Sequence, residues 1–109
     1  HEHMVRSIDI ATLAQRHTEG GIVVDCREPR EYVAGHIPGA LFAPMSRIMS
    51  YLDEIPVGVD VHVICESGNR STAIAEILER TGRSALSVEG GTAAWRAAGH
   101  PIEEGPPRT

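Results

Sequence analysis

The fold is decided by the stretch Val61-His62-Val63-Ile64-Cys65-Glu66-Ser67-Gly68-Asn69-Arg70-Ser71. An apolar run ends at Cys65, a short polar loop follows, and residues 71–80 have the spacing of an amphipathic helix. A strand, a tight loop and a helix bring backbone N–H groups together at the helix N-terminus. The sequence therefore predicts a pocket for one anionic sulfur atom, in which these N–H groups, the helix dipole and Arg70 favour the Cys65 thiolate.

A cysteine at the end of a strand also has a simpler interpretation. Most free cysteines in such positions are small buried hydrophobic residues. Here residues 67–71 are poor at continuing a strand, and they form a loop that can curl back over the sulfur. We therefore favour a reactive role for Cys65 over a packing role.

Strands and helices alternate along the whole chain. Apolar runs predict strands at residues 5–8, 22–26, 41–43, 61–64 and 85–88. Helical spacing and capping residues predict helices at residues 10–17, 28–34, 46–52, 71–80 and 92–98. This order predicts an α/β fold with a central parallel five-stranded sheet and helices on both faces. Ligands of such sheets bind beyond the carboxyl ends of the strands, where Cys65 is expected.

The length of 109 residues suits one domain with one hydrophobic core. We interpret residues 1–4 as a cloning remnant up to a native Met4, residues 5–103 as the domain, and residues 104–109 as a C-terminal tail. Two of the six histidines fall in the remnant and the other four are scattered. The sequence therefore predicts neither a metal site nor a cofactor.

Charge and composition argue against several classes of partner. The chain has a net charge of −5 and no clustered basic patch, which argues against nucleic-acid binding. No apolar run is long enough to span a membrane, and no signal peptide is visible. Two cysteines without a secretory context indicate a reducing compartment. We expect a cytoplasmic monomer that acts on a small molecule.

Three motifs lie in order along the chain: Asp25-Cys26-Arg27-Glu28-Pro29-Arg30-Glu31-Tyr32, Gly35-His36-Ile37-Pro38-Gly39-Ala40 and Cys65-Glu66-Ser67-Gly68-Asn69-Arg70-Ser71. Val88-Glu89-Gly90-Gly91 and Trp95 complete the pattern. Together these segments resemble the single-domain rhodanese-like sulfurtransferase family over about residues 8–102. The resemblance implies a rhodanese-like fold.

The resemblance also implies an activity. In this family the cysteine takes a sulfane sulfur from thiosulfate or a persulfide donor, becomes a persulfide, and passes the sulfur to a thiol or cyanide. Cys65 and Arg70 would be catalytic residues. The residues implied in substrate binding are Glu66, Ser67, Gly68, Asn69, Ser71 and Arg27. The alternative is a weakly active or non-catalytic module for partner binding or redox sensing, which the intact Cys65 and Arg70 disfavour.

The length of the loop bears on the reaction class. Four residues separate Cys65 from Arg70. The related phosphatases have one residue more at this place, which makes room for a tetrahedral phosphate. The shorter loop favours a ligand of one sulfur atom.

Several side chains have two interpretations. Glu66 either faces the pocket, where its charge would oppose a thiolate and a dianionic donor, or faces solvent. Arg27 either lines the mouth or pairs with Asp25 or Glu31, and we favour pairing. Asp25 is expected to be structural.

The remaining motif residues are expected to be scaffold. His36 is interpreted as a hydrogen-bonded scaffold histidine, Trp95 as core, and residues 90–91 as glycines that let the backbone approach the Cys65 loop. Cys26 is either a packing residue, which we favour, or a second thiol that attacks a persulfide on Cys65 to form a disulfide.

Overall fold

Five parallel strands form the central sheet of the structure, a computed structural model that describes residues 5–107. They are β1 (Arg6–Ile8), β2 (Ile22–Asp25), β3 (Leu41–Phe42), β4 (Asp60–Ile64) and β5 (Ser84–Val88). Their spatial order is β1-β5-β4-β2-β3, and every neighbouring pair is parallel. The predicted fold class is confirmed, while the predicted cloning remnant lies outside the described residues.

Three α-helices connect strands, namely α1 (Ile10–Thr18), α2 (Pro29–Ala34) and α3 (Asn69–Arg80), and α4 (Gly91–Ala97) follows β5. The side chain of Asp9 caps α1 by accepting a hydrogen bond of 2.8 Å from the Thr12 N–H. Pro29 opens α2, where the fixed φ of proline suits the first turn and its missing N–H costs nothing.

The predicted helix at residues 46–52 is present as part of a 3-10 helix, Met45–Glu54, which has a kink at Arg47. In an α-helix the Arg47 carbonyl would accept from the N–H four residues later. Here the Ser50 hydroxyl donates to that carbonyl at 2.7 Å, so a local side-chain bond competes with the helical ladder. Ile48 is buried.

The core has two parts, one on each face of the sheet. On one face, α3 packs through Ile74, Ala75 and Leu78 on a cluster that also contains Val24, Cys26, Val61, Val63 and Cys65. On the other face, Leu13, Tyr32 and Trp95 pack on Val23, Ile64 and Val88. Helices therefore cover both faces, and every carboxyl end of the parallel strands meets one edge.

The first turn of α4 lies directly against the backbone that follows β4. Gly91 has a φ of 62°, and a Cβ there would lie 2.5 Å from the Cys65 carbonyl oxygen and from the Glu66 carbonyl carbon. The predicted close approach at residues 90–91 is confirmed, and it requires glycine at position 91 for both space and backbone conformation.

The segment after α4 runs back along α2. Trp95 is buried, and its indole N–H donates to the Pro101 carbonyl at 2.6 Å. Glu103 and His36 exchange two backbone hydrogen bonds of 2.8 and 2.9 Å. Within the predicted tail, the Gly105 N–H donates to the Val33 carbonyl at 3.0 Å. The chain end therefore secures α2 and the turn that follows it.

We expect Gly91→Ala to lower the free energy of unfolding by about 3 kcal/mol or more, because the added Cβ would collide with backbone atoms of the Cys65 loop. Urea unfolding measures this loss. The matched control is Gly58→Ala, since Gly58 also has positive φ (82°) but has no atom within 4 Å of an added Cβ. The control should lose only about 1 kcal/mol from backbone strain. Equal losses of unfolding free energy in the two variants would show that the close approach at α4 does not make position 91 more sensitive than position 58.

Candidate active site

The Cys65 sulfur lies at the carboxyl end of β4 and accepts two backbone hydrogen bonds. The Gly68 N–H donates at 3.1 Å and the Ser71 N–H at 3.3 Å. Ser71 is in the first turn of α3, where amides have no carbonyl partner within the helix. The sulfur atom therefore occupies the place of an anion at the start of a helix. Only 1% of Cys65 is exposed, so these bonds are shielded from water.

The pKa of the Cys65 thiol is lowered to about 4, first by a hydrogen bond with the Cys26 side chain. Burial opposes this shift, and hydrogen bonds from Ser71 and Gly68 add to it. The bond with Cys65 and burial raise the pKa of Cys26. Because only Cys65 also receives backbone N–H groups, Cys65 is the thiolate and Cys26 stays protonated.

Gly68 lets the loop close over the sulfur. It adopts a left-handed conformation with a φ of 105° and immediately precedes α3, which begins at Asn69, two residues earlier than predicted. Its carbonyl accepts from the hydroxyls of Ser71 and Thr72 at 3.2 and 3.1 Å. These hydroxyls fix the peptide that delivers one of the two amides to the sulfur.

The first turn of α4 holds the other side of the loop. The Thr92 N–H and hydroxyl donate to the Cys65 carbonyl at 2.8 and 3.1 Å, and the Ala93 N–H donates to the Glu66 carbonyl at 3.0 Å. Sequence reasoning missed Thr92, whose hydroxyl is a donor in the first turn of α4 and not a helix cap. It also missed Ser87, a buried β5 residue whose hydroxyl lies 2.7 Å from that of Ser71.

Arg70 lies at the rim of the site and is held by Glu31 of α2. Two hydrogen bonds of 2.7 and 2.8 Å join the guanidinium to the carboxylate. This pair lowers the pKa of Glu31 to about 2 and raises the pKa of Arg70. The Cys65 charge contributes to the rise at Arg70, so the guanidinium is within electrostatic range of the sulfur. The sequence placed Arg70 near the thiol but missed its partner Glu31.

Arg27 is buried in an ion-pair network beneath the loop. It is 1% exposed, and its guanidinium donates to Asp25 at 2.9 and 3.0 Å and to the Gly35 carbonyl at 2.7 Å. A further bond of 3.0 Å reaches Glu66. This is the pairing role that the sequence favours for Arg27, and it directs the guanidinium to protein groups and not to the pocket mouth.

Glu66 lies between two arginines. Its second carboxylate oxygen accepts from Arg96 at 3.3 Å, and 38% of the side chain is exposed. The structure thus directs the partly exposed carboxylate to Arg27 and Arg96, a pairing that the sequence did not predict. The Glu66 backbone lines the site, whereas its carboxylate contacts the two arginines.

The remaining predicted residues lie around the loop after β4 and in the segment after α2. Ser67 is exposed in the loop, and Asn69 is exposed at the first position of α3. His36 is buried, stacks on Tyr32 with ring centroids 3.7 Å apart, and shares a hydrogen bond of 2.7 Å with the Tyr32 carbonyl. His36 therefore has the scaffold role that the sequence predicts.

Residues 5–107 contain no cluster of three or more histidine, cysteine or acidic side chains arranged to hold a metal ion. Within the same part of the chain, no helix is long and apolar enough to cross a membrane. What the site offers chemically is a buried thiolate, backbone N–H donors, and one ion-paired arginine at the rim.

The chain is similar to several known proteins. The family model for the rhodanese-like domain matches residues 9–98. A sulfurtransferase of Allochromatium vinosum is 41% identical over 91% of this chain and 95% of its own length. Thiosulfate sulfurtransferase GlpE of Pseudomonas putida is 36% identical over 84% of this chain and 83% of its own. The crystal structure of a rhodanese-related protein from Thermoplasma volcanium matches with a TM-score of 0.83 at 34% identity, covering 90% of this chain and 97% of that one.

We expect the rate of Cys65 alkylation by iodoacetamide to stay nearly constant between about pH 6 and pH 9, because the thiol is already ionised. For an ordinary cysteine with a pKa near 8.5, the rate below that pH rises about tenfold for each unit by which the pH is raised. Peptide mapping after timed alkylation separates Cys65 from Cys26. Cys65→Ser is the control for residual labelling of Cys26, and a tenfold rise per pH unit at Cys65 would contradict a low pKa.

We expect Glu66→Gln to leave the pH profile of Cys65 alkylation unchanged, because the carboxylate contacts Arg27 and Arg96. It should lower the free energy of unfolding by about 1 kcal/mol, since buried Arg27 loses one charged partner and keeps Asp25.

The matched control for this variant is Glu76→Gln, which breaks an exposed pair of 3.0 Å with Arg80 and should cost less than about 0.5 kcal/mol. Urea unfolding compares the two variants. If the midpoint of the Cys65 alkylation profile moved to lower pH in Glu66→Gln, the carboxylate would instead be raising the pKa of the Cys65 thiol.

Proposed function

The chain belongs to the rhodanese-like domain family, and we propose that it is a sulfurtransferase that carries a sulfane sulfur on Cys65. The donor is thiosulfate or a persulfide, and the acceptor is a thiol or cyanide. One observation carries the proposal: a buried thiolate sulfur receives two backbone N–H groups inside a short loop at a helix start. The names of the relatives support the same reaction class.

In the first half of the reaction, the Cys65 thiolate attacks the outer sulfur of thiosulfate. The new S–S bond forms as the S–S bond of the donor breaks, and sulfite leaves with the electron pair. The Cys65 sulfur becomes neutral in the new S–S bond, and the outer sulfur of the persulfide keeps the negative charge that it carried in thiosulfate. No proton moves in this step, so the low pKa of Cys65 supplies the nucleophile directly.

In the second half, an acceptor thiolate or cyanide attacks the outer sulfur. The persulfide S–S bond breaks and its electron pair returns to the Cys65 sulfur, which is again the thiolate that Gly68 and Ser71 stabilise. Because the protein begins and ends the cycle in the same state, the proposal needs no cofactor or metal.

The loop supports a persulfide better than a phosphate. An outer sulfur would lie about 2 Å beyond Cys65 Sγ, where we propose that the amides of residues 66–70 hold it. Asn69 and Arg70 lie in the first turn of α3, where N–H groups have no helical partner and favour an anion. Since only four residues separate Cys65 from Arg70, we propose sulfur transfer and not phosphate hydrolysis.

We propose that Arg70 assists an anionic donor from the rim. Its guanidinium is paired with Glu31 in the free protein, so a dianion such as thiosulfate has to compete with that carboxylate. A neutral persulfide donor does not face this competition. The Arg70–Glu31 pair thus makes binding depend on the charge of the sulfur donor.

The proposal places the reaction in the cytoplasm and in a monomer, with small sulfur compounds as the partners. The net charge of −5 and the two free cysteines motivate these assignments.

We expect the protein to gain the mass of one sulfur atom on incubation with thiosulfate, and cyanide to remove it. Intact mass and peptide mapping locate the added sulfur on Cys65, and Cys65→Ser should gain none.

Two results would contradict the proposed function. Absence of sulfur gain from thiosulfate and from persulfide donors would indicate a non-catalytic module. Turnover of a phenyl phosphate ester without sulfur gain would indicate a phosphatase.

We expect Arg70→Ala to raise the KM for thiosulfate about tenfold or more, and to change turnover with a neutral persulfide donor much less. Glu31→Gln should act in the opposite direction on thiosulfate, because it releases Arg70 from its competing partner. Steady-state kinetics with both donors measures the two effects. Equal losses with both donors, or a raised KM in both variants, would show that the pair only maintains the shape of the loop.

A further inference from the structure

Cys26 is a buried thiol that the reaction as described does not use. It directly follows β2 and is fully buried. Asp25 pairs with Ile64 in the register of β2 and β4, and the Cys26 N–H donates to the Ile64 carbonyl at 3.0 Å. The next residues along the two strands, Cys26 and Cys65, are therefore neighbours across a strand spacing of about 4.8 Å.

Side-chain alternation brings the two thiols to the same face of the sheet. Cys26 and Cys65 belong to one core cluster together with Val24 and Val63, whereas Val23 and Ile64 belong to the cluster on the other face. The neighbouring side chains of this cluster are apolar: Ala43, Ile48, Ile55 and Ile74. The charged groups that act on Cys26 are Cys65, Asp25 and Arg70.

We propose that Cys26 is a positioning residue for sulfur transfer, which donates a hydrogen bond from its thiol to Cys65 Sγ. The proposal rests on the proposed function, because Cys65 Sγ is the reacting atom there. Two amides hold the sulfur from the start of α3, and the Cys26 thiol holds it from the side of β2. Donors from two directions fix the sulfur at the edge of the sheet.

This hydrogen bond acts unequally on the two states of the cycle. It is strongest when Cys65 Sγ carries the full negative charge, which is the state before loading and after release. In the persulfide the charge lies on the outer sulfur, so the bond to Sγ is weaker. Cys26 therefore stabilises Cys65 as a leaving group and favours release of sulfur to the acceptor. The thiol proton stays on Cys26 throughout, and the electron pair of the broken S–S bond returns to Cys65.

The same geometry bears on the predicted Cys26–Cys65 disulfide. A thiol that stays protonated is a poor nucleophile, so the hydrogen bond disfavours attack of Cys26 on a persulfide at Cys65. Donation and attack are thus competing roles for one thiol, and the structure favours donation.

The test compares Cys26→Ala, which removes the donor, with Cys26→Ser, which keeps a hydroxyl donor of similar size. Thiolate absorbance and alkylation of Cys65 against pH are measured without any sulfur donor. We expect the alanine variant to raise the midpoint of the Cys65 profile by about one pH unit or more, and the serine variant to stay closer to the parent protein.

A packing role predicts the reverse order, because a serine hydroxyl without an acceptor is unfavourable in an apolar cluster. In that case serine would destabilise the fold more than alanine, and neither variant would shift the profile. Unfolding curves for both variants show which is the more stable and confirm that both are folded. An unchanged profile in Cys26→Ala would overturn the proposal.

Single-turnover kinetics separates the two halves of the cycle. We expect Cys26→Ala to slow the release of sulfur from preloaded protein to cyanide, and this loss should be about tenfold larger than any slowing of the loading step. Cys26→Ser should recover most of the release rate. Equal effects on both halves would overturn the role in leaving-group stabilisation. Failure of the parent protein to gain sulfur would reject the proposed function instead, while the pH profile would still report the hydrogen bond.

Discussion

The site depends on the hydrogen bonds between the first turn of α4 and the carbonyls of Cys65 and Glu66. These bonds hold the Cys65 and Glu66 peptides at the start of the loop, whose Gly68 and Ser71 N–H groups donate to the sulfur. The close approach is open only to a glycine at position 91. α4 thus anchors the start of the loop, whereas the N–H groups that donate to the sulfur belong to Gly68 and Ser71.

The charges around the loop are arranged so that no full positive charge binds the sulfur directly. Arg27 is neutralised by Asp25 and Glu66 beneath the loop, and Arg70 by Glu31 at the rim. Backbone dipoles and a thiol therefore stabilise the Cys65 thiolate. Such a site suits one negative charge that moves between neighbouring sulfur atoms, because the fixed dipoles need not reorganise as it moves.

Much of the fold could be predicted because its signals are local. Apolar runs of four or five residues predict β2, β4 and β5, and the polar residues at the end of β4 predict the turn at Cys65. The predicted helix at residues 46–52 forms as a 3-10 helix with a kink at Arg47, where the Ser50 hydroxyl donates to the Arg47 carbonyl. The predicted start of α3 was two residues too late, because the residue before the helix is Gly68 and not a polar residue with a capping side chain.

The sequence by itself determined the alternation of strands and helices and the place of Cys65 at the end of a strand, because periodicity and turn residues act over a few positions. Only the tertiary structure decided which groups meet. Arg70 and Glu31 are 39 residues apart, and Glu66 reaches Arg27 and Arg96 from opposite parts of the chain. Cys26 faces Cys65 because the register of β2 on β4 and the pleat put both on one face. A charged or polar side chain can take many partners, and the packed sheet selects one of them.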